Sequence, residues 1–227
     1  MDDVAILAPY LSERRRARIE EVLARRTRSL TVVFEAVHDP HNVAAVLRSA
    51  EAFGLQEVHA IRHPDAPDSW SRRITKSADK WIDARLHSTI EACFETLKRE
   101  GYSIQVSDLS GDAASISAVD FAASRTALVF GNEKDGVSMA ARSLADGRFV
   151  LPMRGFMESF NVSVAAALAL FHATNERAAL PGGGGDLGEA EKQELRRRWY
   201  SLSVRGSEGI LNRARAAAEQ RRDRDPD

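Results

Sequence analysis

Strand-like apolar runs alternate with helix-like segments along most of this 227-residue chain. Residues 30–37 form an apolar run rich in β-branched side chains, and residues 42–53 have helical spacing and stop at Gly54. The same pattern predicts further strands at 57–61, 82–86, 102–106, 126–130 and 149–153, and further helices at 88–101, 138–145 and 162–173. Alternation of this kind is typical of an α/β domain whose mostly parallel sheet is flanked by helices.

The two ends of the chain differ from its centre in charge. Residues 12–28 hold seven Arg and three Glu, and residues 189–224 hold ten Arg or Lys and six Asp or Glu, whereas residues 29–188 carry a net charge of −5. Both ends have helical patterns, and the run Pro-Gly-Gly-Gly-Gly at 181–185 predicts a flexible joint. We therefore expect a helical extension at 1–28, a main domain at 29–180 and a second helical extension at 181–227. Basic ends indicate either contact with a polyanion or solvated helices.

Composition excludes several classes of protein. We expect no membrane span, because no run of about 18 residues is apolar and free of charge. The start, Met1-Asp2-Asp3, lacks the basic and apolar blocks of a signal peptide. The one cysteine, Cys93, excludes a disulfide framework and favours the reducing cytoplasm. The glycosylation sequence Asn161-Val162-Ser163 is discounted for that reason.

The first candidate motif runs from His38 to Arg48, where a predicted strand leads into a helix. Asn42 is suited to cap that helix. Arg48 lies on a helix that otherwise has a buried pattern, so it requires an anionic or polar partner, either in a structural ion pair or in a bound ligand. His38 and His41 have no third ligand at a useful spacing, and we expect no metal site.

Two further motifs follow predicted strands. Phe130-Gly131-Asn132-Glu133 is followed by Gly136 and by Ser138, which is suited to cap a helix, and residues 151–163 place Glu158, Ser159, Asn161 and Ser163 before a helix rich in Ala. Since ligands of open α/β sheets bind at the carboxyl ends of strands, the three motifs predict one pocket lined by backbone amides and small polar groups. The motifs contain no Ser-His-Asp elbow and no Cys placed for attack, and a pocket without an activated nucleophile of its own favours group transfer from a bound donor.

In this order, the three motifs resemble those of the knotted SPOUT methyltransferases, most closely the tRNA (guanosine-2′-O)-methyltransferase (TrmH) family. The resemblance covers about residues 14–178 and rests on Asn42 with Arg48, on Phe130 to Val137, and on Pro152-Met153 with Ser159 to Ser163. It implies a deep C-terminal trefoil knot, a homodimer with an active site completed across the interface, and S-adenosylmethionine as cofactor. It also implies cofactor contacts from Ser107, Leu109, Gly131, Leu151, Met153 and Phe160.

The resemblance further implies roles in catalysis and substrate binding. Arg48 is expected to stabilise the reacting ribose hydroxyl, with Asn42 orienting it, while Glu133, Ser159 and Asn161 shape the pocket. The expected substrate is the guanosine at position 18 of the tRNA D-loop, and Arg14, Arg15 and Arg16 would bind the tRNA backbone. The chain departs from the family pattern at Glu158, at Phe160 and in the loop 76–79.

Three alternative functions remain open at this stage. Ribosomal RNA is the main rival substrate, although the 29 residues before the first strand are too few for the N-terminal domain common in that branch. A second rival acts on the tRNA anticodon loop and lacks long extensions. The third is a non-catalytic RNA-binding protein with the same fold, which retention of Arg48 and Asn161 disfavours.

Overall fold

A computed structural model describes residues 2–37, 39–61 and 80–224 of the chain. These residues form two compact units. The larger unit spans residues 26–186, and the smaller one combines the two ends of the chain, residues 1–25 and 187–227.

A seven-stranded parallel sheet forms the centre of the larger unit. Its strands are β1 (Leu30–Glu35), β2 (Glu57–Ile61), β3 (Asp83–His87), β4 (Tyr102–Ser107), β5 (Ala114–Ser115), β6 (Arg125–Phe130) and β7 (Gly147–Val150), in the order β3-β2-β1-β6-β4-β7-β5. The predicted α/β class and mostly parallel sheet are confirmed. The strand predicted at 149–153 is wrong in its bounds, because β7 begins earlier and residues 151–160 leave the sheet.

Helices cover both faces of this sheet. They are α3 (Pro40–Ala52), α4 (Ile90–Arg99), α5 (Met139–Leu144) and α6 (Val162–Arg177). Buried residues of α3 and α6 belong to one apolar cluster, and those of α4 and α5 belong to a second cluster on the other face. Neighbouring β1 residues divide between these clusters, with Val32 in the first and Val33 in the second, so the strand is buried on both sides as parallel strands require.

The helix caps agree only in part with the sequence analysis. Asn161 and Ser138 cap α6 and α5, since their side-chain oxygens accept from Ser163 N at 2.9 Å and from Ala141 N at 3.0 Å. The prediction that Asn42 caps α3 is wrong. Asp39 is the cap and accepts from His41 N at 2.8 Å, because Pro40 starts the helix two residues earlier.

The smaller unit joins the two ends of the chain. It contains α1 (Asp3–Leu7), a 3₁₀ turn (Ala8–Tyr10), α2 (Glu13–Arg25), α7 (Glu189–Ser203) and α8 (Ser207–Arg224). Helix α1 packs against α7 and α8, and α2 packs against α7. Both guanidinium contacts from Arg196 to Glu20 measure 2.6 Å. Each end therefore supplies packing surface to the other.

Two arginines of the basic segment 12–28 are engaged within the larger unit. Arg26 is fully buried and donates to the Leu55 carbonyl at 2.7 Å and to Glu51 at 2.8 Å. Arg28 pairs with Glu57 at 2.9 Å and with Asp83 at 2.7 Å. The positive charge of this segment is therefore partly neutralised inside the fold, which its sequence did not indicate.

Residues Pro181–Gly184 form a 3₁₀ turn in which Gly182 and Gly183 have positive φ angles of 76° and 65°. Glycine adopts this backbone conformation at little cost. Among the described residues, no helix combines the length and the apolar character needed to cross a membrane.

Candidate active site

A cavity of about 450 Å³ opens beside the loops that follow β4, β6 and β7. These loops start at the carboxyl ends of their strands, where parallel sheets bind ligands. Nine of the predicted site residues line the cavity: Ser107, Leu109, Gly131, Glu133, Leu151, Met153, Ser159, Phe160 and Asn161. Segments more than 50 positions apart in the sequence thus form one cleft.

The end of β6 is shaped by a close approach of two backbone segments. Asn132 and Gly136 exchange two backbone hydrogen bonds of 3.1 Å, and Asn132 Oδ1 accepts from the backbone of Lys134 and Asp135 at 2.8 and 2.7 Å. A Cβ atom on Gly131 would lie 2.0 Å from both the carbonyl carbon and oxygen of Gly136. Gly131 is therefore required for this loop to close against the cleft.

A chain of side-chain hydrogen bonds connects the three motifs. The Asn42 amide donates to Glu133 Oε1 at 2.7 Å, and the Asn161 amide donates to Asn42 Oδ1 at 3.1 Å. Asn161 Oδ1 accepts in turn from the backbone and hydroxyl of Ser163, at 2.9 and 2.6 Å. Asn42 is buried, so these bonds fix it at the edge of the cleft with both of its polar atoms occupied.

Sequence reasoning missed two charged residues of the cleft that lie outside the three motifs. Asp108 is buried and accepts from Ser110 Oγ at 2.7 Å, and it lies 3.2 Å from a guanidinium nitrogen of Arg142. Both Asp108 and Arg142 line the cavity. The position of Asp108 between Ser107 and Leu109 was a usable signal, whereas Arg142 is brought there only by the packing of α5.

Arg48 lies elsewhere. It is exposed on α3, it does not line the cavity, and among the described residues it forms no hydrogen bond or ion pair. The structural ion pair that the sequence left open is therefore absent from the described part of the chain. A guanidinium without a protein partner is available to an anionic or polar ligand.

The remaining predicted positions are dispersed. Arg14 and Arg15 lie with Ser12 and Arg18 along a groove on α2 in the smaller unit, while Arg16 is half-buried on the same helix. His41 and Glu158 are exposed. His38 and the loop 76–79 lie outside the described residues.

Comparison with known proteins agrees with this arrangement. Residues 29–171 match the model of the SpoU rRNA Methylase family. The chain belongs to the SpoU rRNA methylase family.

Relatives within the SpoU family resemble the chain over most of its length. A tRNA (guanosine(18)-2′-O)-methyltransferase of Thermus thermophilus is 43% identical over 166 residues, which are 73% of this chain and 84% of the relative. The solved TrmH/SpoU tRNA modifying enzyme of Aquifex aeolicus is 30% identical, with a TM-score of 0.73 and coverage of 85% of this chain and 98% of that one.

A third SpoU structure was solved with a ligand. The SpoU methyltransferase AviRb from Streptomyces viridochromogenes, in complex with the cofactor AdoMet, is 27% identical with a TM-score of 0.56. The alignment covers 66% of this chain and 58% of AviRb.

Proposed function

We propose that this chain transfers a methyl group from S-adenosylmethionine to the ribose 2′-hydroxyl of a guanosine in tRNA, at position 18 of the D-loop. The observation that carries the proposal is the hydrogen-bonded chain from Glu133 through Asn42 to Asn161, which joins three distant segments beside one cleft. Relatives named for this reaction are up to 43% identical to the chain.

The cleft fits the proposed cofactor. Its volume of about 450 Å³ suits a ligand of this size. Gly131 allows the loop after β6 to close beside the cleft, and apolar side chains of Leu151, Met153 and Phe160 stand beside the polar groups of Ser107 and Asn161. When bound, S-adenosylmethionine supplies a methyl group on a positively charged sulfur, which is open to attack by an oxygen nucleophile.

Residues of this chain would position and activate the ribose hydroxyl. A ribose hydroxyl is a weak nucleophile, so it has to be held in line and relieved of its proton. Arg48 donates hydrogen bonds to the developing alkoxide, because a guanidinium has five N–H donors and no acceptor and is therefore a poor base at neutral pH. Asn42 and Glu133 hold the wall of the cleft against which the nucleotide is placed.

A homodimer completes the site in this proposal. Helix α6 exposes Val164, Leu168 and Phe171, which follow each other at helical spacing on one face. An exposed apolar stripe of this kind marks an interaction surface. The Phe171 ring lies edge-on to that of Phe53, the residue that caps the C-terminus of α3, and α3 also presents Arg48. A second copy packed on this face would carry its own Arg48 to a position close to the partner's cleft.

We also infer that the segment from 151 to 160 is threaded into a C-terminal trefoil knot. The irregular backbone of this segment and its residues along the cleft support this topology, as do the positions of β6 and β7 on either side of β4. The test is an experimental structure of the backbone. If the two ends of its trace are joined and the resulting closed curve contains no knot, this topology is contradicted.

The basic helices of the smaller unit would bind the tRNA backbone through Arg14, Arg15 and Arg16. Contacts to phosphate oxygens position a nucleic acid without reading its sequence. Arg14 and Arg15 are exposed on α2 and Arg16 is half-buried beside them, and we propose that the reaction takes place in the cytoplasm, where a tRNA substrate is found.

The decisive experiment supplies the full-length protein with radiolabelled S-adenosylmethionine and separate pools of tRNA and ribosomal RNA. We expect label in tRNA, and nuclease mapping should locate it at guanosine 18. The matched control is the same tRNA with 2′-deoxyguanosine at position 18, which lacks the accepting hydroxyl and should take up no label.

Two results would overturn the proposal. Label in ribosomal RNA alone would assign the chain to the other branch of its family. Binding of tRNA without any transfer of label, under conditions in which the cofactor also binds, would identify a non-catalytic RNA-binding protein.

A further inference from the structure

Three side chains with metal-binding atoms lie together in the larger unit, apart from the cleft. His59 and Cys93 are buried and His87 is half-buried, and one ligand atom from each lies within 4.8 Å of the other two. None of the three lines the cleft described above. The methyltransferase proposal assigns them no role.

The register of the sheet brings the two histidines together. In the parallel pairing of β2 with β3, His59 is aligned with Arg85 and Ile61 with His87. Aligned residues point to the same face of a sheet, and so do residues two positions apart on one strand. His59 and His87 therefore share the face covered by α4, and Cys93 enters this face from the first turn of that helix.

The two rings are arranged closely enough to share one ion. His59 Nδ1 and His87 Nε2 lie 2.9 Å apart, and the rings are nearly parallel, edge to edge, with centroids separated by 5.2 Å and planes inclined by 12°. Two nitrogens bound to one tetrahedral zinc ion at about 2.0–2.1 Å lie about 3.3 Å from each other. To bind one ion, the two nitrogens would separate by a few tenths of an ångström, and the rings, which now face each other edge to edge, would turn so that both lone pairs converge on the ion.

A carboxylate flanks the outer nitrogen of His59. Glu57 Oε1 lies 3.1 Å from His59 Nε2, and both side chains are buried. Metal-binding histidines commonly present their second nitrogen to a carboxylate, which holds the proton there and leaves the first nitrogen free to bind. Glu57 at this distance favours the proton on His59 Nε2, which leaves Nδ1, 2.9 Å from His87 Nε2, free to bind an ion.

Other roles for the thiol are disfavoured. Cys93 is 0% exposed, so its thiol is not suited to act as a nucleophile toward an external substrate or as an accessible redox sensor. A hydrogen-bonded histidine pair would be satisfied without a thiol beside it. The thiol therefore gives the cluster a soft third donor, which is typical of zinc sites.

We propose that His59, His87 and Cys93 bind one zinc-type divalent ion, which fastens β2, β3 and the start of α4 together. The ion displaces the thiol proton to solvent and is held by two nitrogens and one thiolate sulfur. A water molecule from the partly exposed side of His87 completes four-coordination. This differs from the expectation of no metal site, which the linear sequence favoured.

The test uses the full-length protein after chelator treatment and dialysis, titrated with Co²⁺ as a spectroscopic substitute for Zn²⁺. We expect one equivalent to bind with an apparent Kd of about 1 μM or tighter, with a thiolate-to-cobalt charge-transfer band and the intense visible bands of tetrahedral cobalt. Since the chain has a single cysteine, such a band can arise from Cys93 alone, so the wild-type protein suffices. Added Zn²⁺ should displace the cobalt and raise the Tm.

Two variants test whether Cys93 binds the ion. Cys93→Ser should abolish the charge-transfer band and the zinc-dependent rise in Tm, whereas His41→Ala, which removes an exposed histidine outside the cluster, should leave both unchanged. Wild-type protein that shows no charge-transfer band with excess Co²⁺ would overturn the proposal. Zinc binding that persists at the same affinity in Cys93→Ser would also overturn it.

Discussion

The Asn161 side-chain amide donates a hydrogen bond to Asn42 Oδ1 at 3.1 Å, although the two residues are 119 positions apart in the chain. The side-chain amide of Asn42 in turn donates a hydrogen bond to Glu133 Oε1 at 2.7 Å. Every polar atom of the Asn42 side chain is thus engaged while the residue is buried. The start of α3, the loop after β6 and the start of α6 are held in one arrangement.

Asn42→Asp tests this connection with almost no change in shape. The substitution replaces the amide that now donates to Glu133 with a carboxylate oxygen, so two like charges would face each other across a hydrogen-bond distance. We expect the free energy of unfolding to fall by about 1–3 kcal/mol, measured by urea denaturation at neutral pH. Methyl transfer should fall with it.

The double variant Asn42→Asp with Glu133→Gln is the matched control. It restores one donor and one acceptor in the reverse direction and keeps the total charge. Most of the lost stability should return, with a coupling of at least about 1 kcal/mol in the double-mutant cycle. Additive losses would show that the two side chains do not interact in solution.

Gly131→Ala should weaken cofactor binding. The new Cβ would lie 2.0 Å from backbone atoms of Gly136, so the loop after β6 must move away from the strand. We expect the Kd for S-adenosylmethionine, measured by calorimetry, to rise at least about tenfold, which corresponds to about 1.4 kcal/mol. Gly155→Ala is the control, because a Cβ there meets no atom within 4 Å. Equal affinities for the two variants would contradict the role given to Gly131.

Local patterns predicted most of the sheet and the helices around it. Strand β1 appears in the sequence as a short apolar run, because a strand buried on both faces needs apolar side chains at successive positions, whereas β2 is predicted although Glu57 and His59 interrupt its apolar residues. The two-residue strand β5 has no such run and was missed. The N-cap of α3 could have been predicted from the sequence, because Asp39-Pro40 is a helix-start signal. The sequence analysis assigned the cap to Asn42 instead.

Residues of the candidate site could be predicted from the sequence only where they follow a predicted strand, because the strand brings them to the carboxyl edge of the sheet. Leu151 and Met153 were predicted to touch the cofactor, yet the strand that was expected to contain them ends at Val150. The Asn42–Glu133 bond and the meeting of His59, His87 and Cys93 depend on strand order and register. Those are set by the packing of the whole domain, and no spacing in the linear sequence encodes them.

Arg48→Ala should remove catalysis while the fold survives. Arg48 is exposed and forms no hydrogen bond or ion pair with the described residues, so its loss should change the free energy of unfolding by less than about 0.5 kcal/mol. If it stabilises the alkoxide, kcat should fall by a factor of about 100 or more, with the Kd for S-adenosylmethionine unchanged.

Two further variants test whether the loss of activity is specific to the guanidinium of Arg48. Arg48→Lys keeps the charge but loses the forked donor geometry, so its kcat should lie between those of the wild type and Arg48→Ala. Arg99→Ala removes an exposed arginine from α4, away from the cleft, and should have wild-type kinetics. Activity of Arg48→Ala within a few-fold of wild type would rule out the catalytic assignment.

Leu168→Glu should dissociate the proposed homodimer. Leu168 is 42% exposed in the apolar stripe of α6, and a carboxylate buried there without a partner would oppose association. Sedimentation should show a shift toward monomer and a parallel loss of methyl transfer. Leu144→Glu is a close control, since Leu144 is 38% exposed on α5, outside the stripe. A wild-type protein that sediments as a monomer at micromolar concentration would refute the dimer itself.

Charge reversal on α2 should weaken tRNA binding and leave the cofactor site intact. The triple variant Arg14→Glu, Arg15→Glu and Arg16→Glu replaces three cations proposed to contact phosphates. Removing the segment 182–227 is a less specific test, because α7 and α8 pack against α1 and would leave it uncovered. We expect the affinity for tRNA to fall at least severalfold. In a plot of log K against log salt concentration, the slope should become less steep by about 2–3.

The matched control replaces the same three arginines with lysine. Phosphate contacts that depend on net charge survive this exchange, so affinity and salt slope should stay close to those of the wild type. S-adenosylmethionine affinity should be unchanged in both triple variants, since its proposed site is formed by the larger unit. Equal tRNA affinities in the glutamate and lysine variants would exclude α2 from tRNA binding. A loss of cofactor affinity in the glutamate variant would instead mean that α2 supports the cleft.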